Sequence, residues 1–268
     1  MTDWQALCGA AFVRFISRYE KAGSPKAHVK VGLFVTCLID AMRPEIGFSA
    51  IKLLEASGCE VAVPDAQTCC GQPAYNSGDA ASARVLAAKA LEEFESFDFV
   101  VVPSGSCAGQ IKIHFVRLLD SDLKLRARAE RLAAKTYELT DFLANVAPRR
   151  GLLAVSLGRI TYHDSCSGLR ELGIKSQPRA LLAAAGVAVT EMKDCEQCCG
   201  FGGTFAVKYG DISGAIVDEK CGHIRATGAD AVVLGDLGCM LNIEGRLQRL
   251  GDSTTRVLHV AQVLAGDT

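Results

Sequence analysis

The sequence predicts an α/β fold: two pseudo-symmetric βαβαβ units with parallel sheets, their sites at the C-terminal ends of the strands. Three observations carry this. First, the cysteines repeat. Cys37, Cys69, Cys70 and Cys107 are matched by Cys166, Cys198, Cys199 and Cys239, at offsets of 129 residues from Cys37 to Cys166 and 132 from Cys107 to Cys239. Second, the text between them repeats, "LLEASGCEVAV" (53–63) against "LLAAAGVAV" (181–189) and "SGD" (77–79) against "YGD" (209–211). Internal self-similarity at a fixed interval marks a duplicated unit. Third, apolar residues in each half alternate between strand and helix periods, the pattern of parallel βαβ units.

The elements follow in order. "KVGLFVT" (30–36) is a short apolar run rich in β-branched and aromatic residues, hence a strand. A helix follows from Pro44 to Ser57, closed by Gly58. "CEVAVPD" is the second strand, Gly78 to Phe97 an alanine-rich helix, and "DFVVVPSG" (98–105) a third strand buried on both faces. From 108 to 150 the chain reads as helical and charged, with "LKLRARAERLAAKTYELTDFLANV" (123–146) at helical spacing. The second half gives "GRITYHDS", a helix around 176–185, "VAVTEM", a helix around 211–227 and "ADAVVLGD". "APRRG" (147–151) is the expected boundary, which sets three segments: 1–29, 30–150 and 151–268.

The segment 1–29 is an expected amphipathic helix and linker. Trp4, Leu7, Cys8, Ala11, Phe12, Phe15, Ile16 and Tyr19 fall on one helical face, and "AGSPKAHVK" (22–30) leads out of it. That face packs on the protein's own body or docks a partner.

Composition narrows the function classes. A chain of 268 residues, 49% apolar and with net charge −1, has no basic footprint for nucleic acid or acidic membranes. No apolar run nears the ~20 residues of a membrane span, and no secretory leader pattern opens the chain. The expectation is a cytoplasmic protein. Twelve cysteines in a reducing compartment point to a site that needs thiolates rather than to disulfides.

In open parallel sheets, ligands bind beyond the carboxyl ends of the strands. Cys37, Cys107, Cys166 and Cys239 each follow such an end, and each Cys-Cys-Gly turn comes after a second strand. Four thiols per half therefore converge on one sheet edge. Packed structural cysteines would be scattered instead. Adjacent cysteines suit a multi-iron cluster better than a lone zinc, which draws on C-x2–4-C pairs. The preference is firmer in the first half than in the second, and the glycine after each pair lets backbone N–H groups approach.

The C-x31-CCG pattern followed by S/D-x-x-C resembles the cysteine-rich CCG family, which includes the CCG-bearing component of heterodisulfide reductase. "LFVTCLID", "CCGQPAYNSGD", "PSGSC", "CCGFGGTF", "VDEK" and "LGDLGCMLNIEGRL" resemble its lactate-utilisation members over residues 30 to 265 or so. The resemblance implies one or two iron–sulfur clusters (4Fe-4S), with zinc possible in one half. It also implies two partner subunits in oxidation of L-lactate to pyruvate. The ligands carried over are Cys37, Cys69, Cys70 and Cys107, and Cys166, Cys198, Cys199 and Cys239. Ser104 and Asp236 stand where the reductase has the first cysteine of a terminal C-x-x-C, which leaves cubane and non-cubane clusters both open.

Cys59 and Cys221 read as packing residues, and Cys195 as an extra or resolving thiol. His163 reads as a hydrogen-bonded neighbour of the second site, His114 as an ordinary helix residue, and Gly202 and Gly203 as close backbone packing. No P-loop, S-x-x-K or G-x-S-x-G motif supports hydrolytic chemistry. Three functions remain in competition: an electron-transfer subunit acting only within a complex, a catalytic reductase of the heterodisulfide type, and a zinc-stabilised assembly scaffold.

Overall fold

The computed structural model describes residues 29–147 and 157–268. The amphipathic segment, except Val29, and most of "APRRG" lie outside the described residues.

The first half runs β1 (Val29–Leu33), α1 (Cys37–Met42), α2 (Pro44–Ala56), β2 (Cys59–Ala62), α3 (Gln72–Asn76), α4 (Ala80–Phe94) and β3 (Phe99–Val102). It continues with α5 (Gly105–Gly109), a π-helical turn (Gln110–His114), α6 (Phe115–Leu118), α7 (Leu123–Ala134), β4 (Thr136–Glu138) and α8 (Leu139–Asn145). The second half runs β5 (Ile160–His163), α9 (Cys166–Arg170), α10 (Ser176–Ala184), α11 (Thr204–Lys208), α12 (Gly210–Ala226), β6 (Ala231–Leu234), α13 (Leu237–Arg249), β7 (Arg256–His259) and α14 (Val260–Ala265). No helix among the described residues is long and apolar enough to cross a membrane.

All strand pairings among the described residues are parallel, in the order β2-β1-β3-β4 in one sheet and β5-β6-β7 in the other. The central strands are the most apolar: Val100, Val101 and Val102 of β3 and all of β6 are fully buried, as strands covered on both faces must be. Pro44 opens α2, where its missing N–H has no helical partner to lose, and Gly58 at φ +86° lets the chain leave after α2.

Two departures from the sequence reading share one physical cause: short edge elements carry too few residues to set a period. "VAVTEM" forms no strand. It makes one parallel bridge, Val189 to Ile160, beside β5, and then leaves the sheet as Arg179 holds Glu191. The helical stretch 123–146 is broken by β4, where Thr136 donates its hydroxyl to the Leu132 carbonyl at the end of α7. β7 closes the second sheet in the corresponding place, so each half has a fourth strand position beyond the predicted βαβαβ.

An apolar core runs across both sheets, from Val31 and Leu53 to Val233 and Leu264, while a second cluster around Phe34, Phe94 and Phe115 lies within the first half. The halves also meet where α5 crosses α9. A Cβ on Gly105 would sit 2.9 Å from the Gly168 backbone, so the two helices approach as only glycines permit.

Candidate metal centres

Each thiol tetrad is assembled by the same local devices. Thr36 caps α1 by accepting the Ile39 N–H at 3.3 Å, which places Cys37 in the first turn beyond β1. Cys107 sits in α5, directly after β3. Cys69 and Cys70 come from the loop after β2, which turns at Gly71 (φ +80°) into α3. The second half repeats this with Ser165 preceding Cys166, Gly200 at φ +83° after Cys199, and Cys239 in α13 after β6.

The sulfurs interact in the same order in both halves. Cys37 contacts Cys69, Cys69 contacts Cys70, and Cys70 Sγ lies 3.2 Å from Cys107 Sγ. Cys166 contacts Cys198, Cys198 contacts Cys199, and Cys199 contacts Cys239. S–H donation from Cys37 and Cys70, together with the Gly71 N–H at 3.4 Å, holds the Cys69 thiol well below its usual range against the effect of burial. Cys198 is lowered in the same way by Cys166, Cys199 and the Gly200 N–H at 3.2 Å. The hydrogen bonds of Cys37 to Cys69 and of Cys166 to Cys198 push those outer thiols up, and Cys70 and Cys199 rise as well. The thiolate is thus favoured on Cys69 over Cys37 and Cys70, and on Cys198 over Cys166 and Cys199, and a bound metal would need its ligand thiols deprotonated.

Cys70, Cys107, Cys199 and Cys239 are buried, Cys69, Cys166 and Cys198 half-buried, and Cys37 exposed. Every tetrad therefore has a closed side and an edge near the surface. Four thiols with glycine N–H donors suit a soft metal ion or an iron–sulfur cluster, which thiolates hold and amide hydrogen bonds tune. The donor set fits such a group.

Ser104 and Asp236, the two positions that differ from the terminal C-x-x-C of heterodisulfide reductase, pair with each other across the halves. The Ser104 hydroxyl donates to Asp236 Oδ2 at 3.0 Å, and the Ser106 N–H donates to the same oxygen at 2.9 Å. Asp236 Oδ1 also accepts the Gly238 N–H at the start of α13. Both side chains are buried in these contacts.

His163, the last residue of β5, is fully buried, and neither ring nitrogen makes a hydrogen bond. A ring nitrogen, Cys199 Sγ and Cys239 Sγ lie within 4.8 Å of one another. Burial pushes the imidazole down to about 3, helped by the Lys220 charge, while Cys198 and the Cys195 carbonyl act the other way. The sequence predicts a hydrogen-bonded neighbour of the site; His163 is a neighbour, but an orphaned one. An unmade hydrogen bond at a buried polar group costs about 1–3 kcal/mol.

Three residues beside the second site carry no signal strong enough to assign them a role from sequence. Lys220 is fully buried on α12 and donates to the Asp194 carbonyl at 2.6 Å and the Cys195 carbonyl at 3.4 Å. Arg179 grips buried Asp164 with two bonds of 2.8 and 2.9 Å. For Lys220 a weak signal does exist: in α12 it falls on the face of Val217, Cys221 and Ile224, where a lysine is out of place.

Cys59 and Cys221 are buried packing thiols, each pushed up to about 11 by burial. Cys195 faces Asp164 and Glu191. His114 does more than its helical spacing suggests: its Nε2 meets Glu171 of the other half at 3.0 Å, and its ring packs on Tyr75. Gly202 would drive a Cβ to 2.9 Å from Phe205, as close packing requires, whereas Gly203 has open space around it and a positive φ of +64°.

The Cysteine-rich domain family matches residues 31–112 and 160–244, so each match contains one tetrad. The chain is 49% identical over 237 residues to "Lactate utilization protein A" of Geobacillus kaustophilus (strain HTA426), covering 88% of this chain and 98% of the relative. It is 44% identical over 238 residues to "Lactate utilization protein A 2" of Bacillus cereus (strain Q1), with the same coverage. Among solved structures, a hypothetical protein from Helicobacter pylori superimposes with a TM-score of 0.64 at 12% identity, over 100% of this chain and 54% of that one, a likeness of fold. Two matched cysteine-rich repeats and near full-length identity of this order place the chain in the lactate utilization protein A family.

Proposed function

We propose that the chain is an iron–sulfur electron-transfer subunit acting in lactate utilisation, in the oxidation of L-lactate to pyruvate by a cytoplasmic complex. The observation that carries this is the pair of matching thiol tetrads, Cys37, Cys69, Cys70 and Cys107, and Cys166, Cys198, Cys199 and Cys239, each with a glycine N–H aimed at one sulfur, at 3.4 Å on Cys69 and 3.2 Å on Cys198. The relatives' name supports the pathway. A cluster bound there supplies one-electron chemistry. The protein's own residues hold it, shield its inner side with Cys70, Cys107, Cys199 and Cys239, and leave Cys37 at the surface where a partner's carrier can approach.

The test is a count of iron, sulfide and zinc per chain after anaerobic purification, in the wild type and in Cys70→Ser and Cys199→Ser. Each variant is expected to lose iron from its own half only. Full iron retention in either variant refutes the ligand assignment. Zinc without iron refutes the redox function and leaves the scaffold. Adding a mixed disulfide to the reduced protein separates relay from reductase, since thiol release with cluster reoxidation belongs to catalysis alone.

A further inference from the structure

The two halves repeat their thiols but not what surrounds them. At the offset that aligns Cys37 with Cys166, the residue equivalent to His163 is Phe34. Phe34 is buried in an apolar cluster, its ring 5.2 Å from that of Phe94. The helices α4 and α12 align through the glycines they pack on: Gly71 faces Ala83 and Leu86, and Gly200 faces Ser213 and Ile216. That register puts Ala90 where the second half has Lys220. The second half has therefore exchanged a phenyl ring and a methyl group for an imidazole and an ammonium, all four side chains buried.

Lys220 has its partners, the carbonyls of Asp194 and Cys195. His163 has none. A core histidine kept only for packing engages a ring nitrogen in a hydrogen bond, as buried His259 does by accepting the Ala261 N–H at 3.2 Å. The ring of His163 instead lies against Cys199 and Cys239, the two buried thiols of its tetrad. With metal–nitrogen bonds of about 2.0–2.1 Å and metal–sulfur bonds of about 2.3 Å, donors within 4.8 Å of one another need only small shifts to share an ion. The Cys195 carbonyl is near enough to bias the ring but makes no hydrogen bond of ordinary geometry with it in this structure. A ligating histidine characteristically offers its second N–H to such a carbonyl.

From this we infer that His163 is a nitrogen ligand of the group held by the second tetrad, so that the second site is a mixed imidazole–thiolate site while the first is thiolate only. The inference rests on the metal reading above and adds the chemistry that distinguishes the two sites. Five donors face the second site, His163, Cys166, Cys198, Cys199 and Cys239, and four face the first.

The experiment uses the full chain labelled with 15N-histidine, carrying either Cys70→Ser or Cys199→Ser so that one half is read at a time. Each protein is reconstituted anaerobically with iron and sulfide, or loaded with zinc alone. Pulsed electron paramagnetic resonance of the reduced cluster, or X-ray absorption at the zinc edge, then reports the first coordination shell. The second-half site is expected to show a directly bound histidine nitrogen, lost in His163→Phe, and the first-half site to show sulfur alone. His163→Gln is expected to lose the nitrogen signal too, and as a polar replacement it guards against misfolding of the phenylalanine variant. Metal bound in the second half with an all-sulfur shell overturns the histidine assignment and leaves the metal reading standing. Neither iron nor zinc bound in either half overturns both. A nitrogen signal that persists in both variants also overturns the assignment to His163.

Discussion

Three glycines share almost the same positive φ and differ in what lies beyond their missing side chain, which allows strain and crowding to be separated. Gly58, Gly71 and Gly200 have φ of +86°, +80° and +83°. A Cβ on Gly58 meets nothing within 4 Å, one on Gly71 comes to 3.3 Å from Leu86 Cβ, and one on Gly200 comes to 2.7 Å from the Ser213 backbone carbonyl. Substitution by alanine in the left-handed region costs about 1–2 kcal/mol, offset by about 0.4–1 kcal/mol from the stiffer unfolded chain. Gly58→Ala is thus expected to lose about 0–1.6 kcal/mol. Gly71→Ala adds a contact at 3.3 Å with Leu86 Cβ, which only a slight shift of α4 relieves, for a total of about 1–2 kcal/mol. At Gly200 the obstacle is backbone, held by α12, and overpacking adds about 1–3 kcal/mol to the strain, for a total of about 1–5 kcal/mol. For a chain of this size each kcal/mol moves the melting temperature by about 2–4 °C, so the three variants separate in a thermal or urea melt. Gly200→Ala must also displace the N–H that faces Cys198, so metal loss from the second half accompanies the destabilisation. Equal losses in all three variants, or Gly58→Ala worst, would refute the argument that the Cys-Cys-Gly glycine serves close helix approach as well as the turn.

Asp236→Ala removes the acceptor of the Ser104 hydroxyl and of the Ser106 and Gly238 N–H groups and is expected to cost about 2–4 kcal/mol, with Asp236→Asn recovering part of it in the same urea titration. Arg179→Met leaves the Asp164 carboxylate buried and unpaired, so a loss of about 3–5 kcal/mol is expected, and Arg179→Lys should not restore it because the bidentate grip needs a guanidinium. Burial raises the Glu138 carboxyl to about 7, against hydrogen bonds from Thr140 and Asp141 that lower it. The folded state therefore binds the proton more tightly than the unfolded state, and Glu138's contribution to stability falls as pH rises from about 4.5 to 7. Glu138→Gln is expected to flatten that part of the stability curve, and an unchanged slope would contradict the assignment. His259 acts in the opposite sense: burial lowers it to about 4, so its contribution is lost as pH falls from 6.5 to about 4, and His259→Asn should soften acid unfolding across that window.

The parts of the fold that the sequence made legible are those that repeat or sustain a period. β3 and β6 are continuous apolar runs, α4 and α12 are long, and the spacing from Cys37 to Cys69 recurs from Cys166 to Cys198. The parts it hid are short or depend on distant partners. β4 has three residues, too few to interrupt a helical pattern visibly, and "VAVTEM" has strand composition but is drawn off by an ion pair between Glu191 and Arg179. His114 looks ordinary because its partner, Glu171, lies 57 residues away in the other half.

The duplication that revealed the thiols also hid the residues beside them, because searching for a repeat rewards sameness. Ser104 and Asp236 register as gaps in a cysteine pattern, yet their meaning lies in being different from each other. Two cysteines or two serines at those positions would lack the charge-assisted bond, and two aspartates would repel where these two are joined at 3.0 Å. The same holds for Phe34 and His163, and for Ala90 and Lys220. A duplicated chain whose halves met identical demands would have no reason to bury an imidazole and an ammonium in one copy and hydrocarbon in the other, since buried polar groups lower stability unless they are partnered. The asymmetry is therefore a constraint kept against its cost. It sits beside Cys199 and Cys239, so it tells the second tetrad apart from the first, and a reciprocal exchange tests that directly. Phe34→His should leave the first half's metal content unchanged but introduce an unsatisfied nitrogen into an apolar cluster, losing about 2–5 kcal/mol in the melt, whereas His163→Phe should cost little stability and change the second site's coordination. If the two exchanges had equal effects on stability and on metal, the halves would be equivalent after all, and the differences between them would be drift.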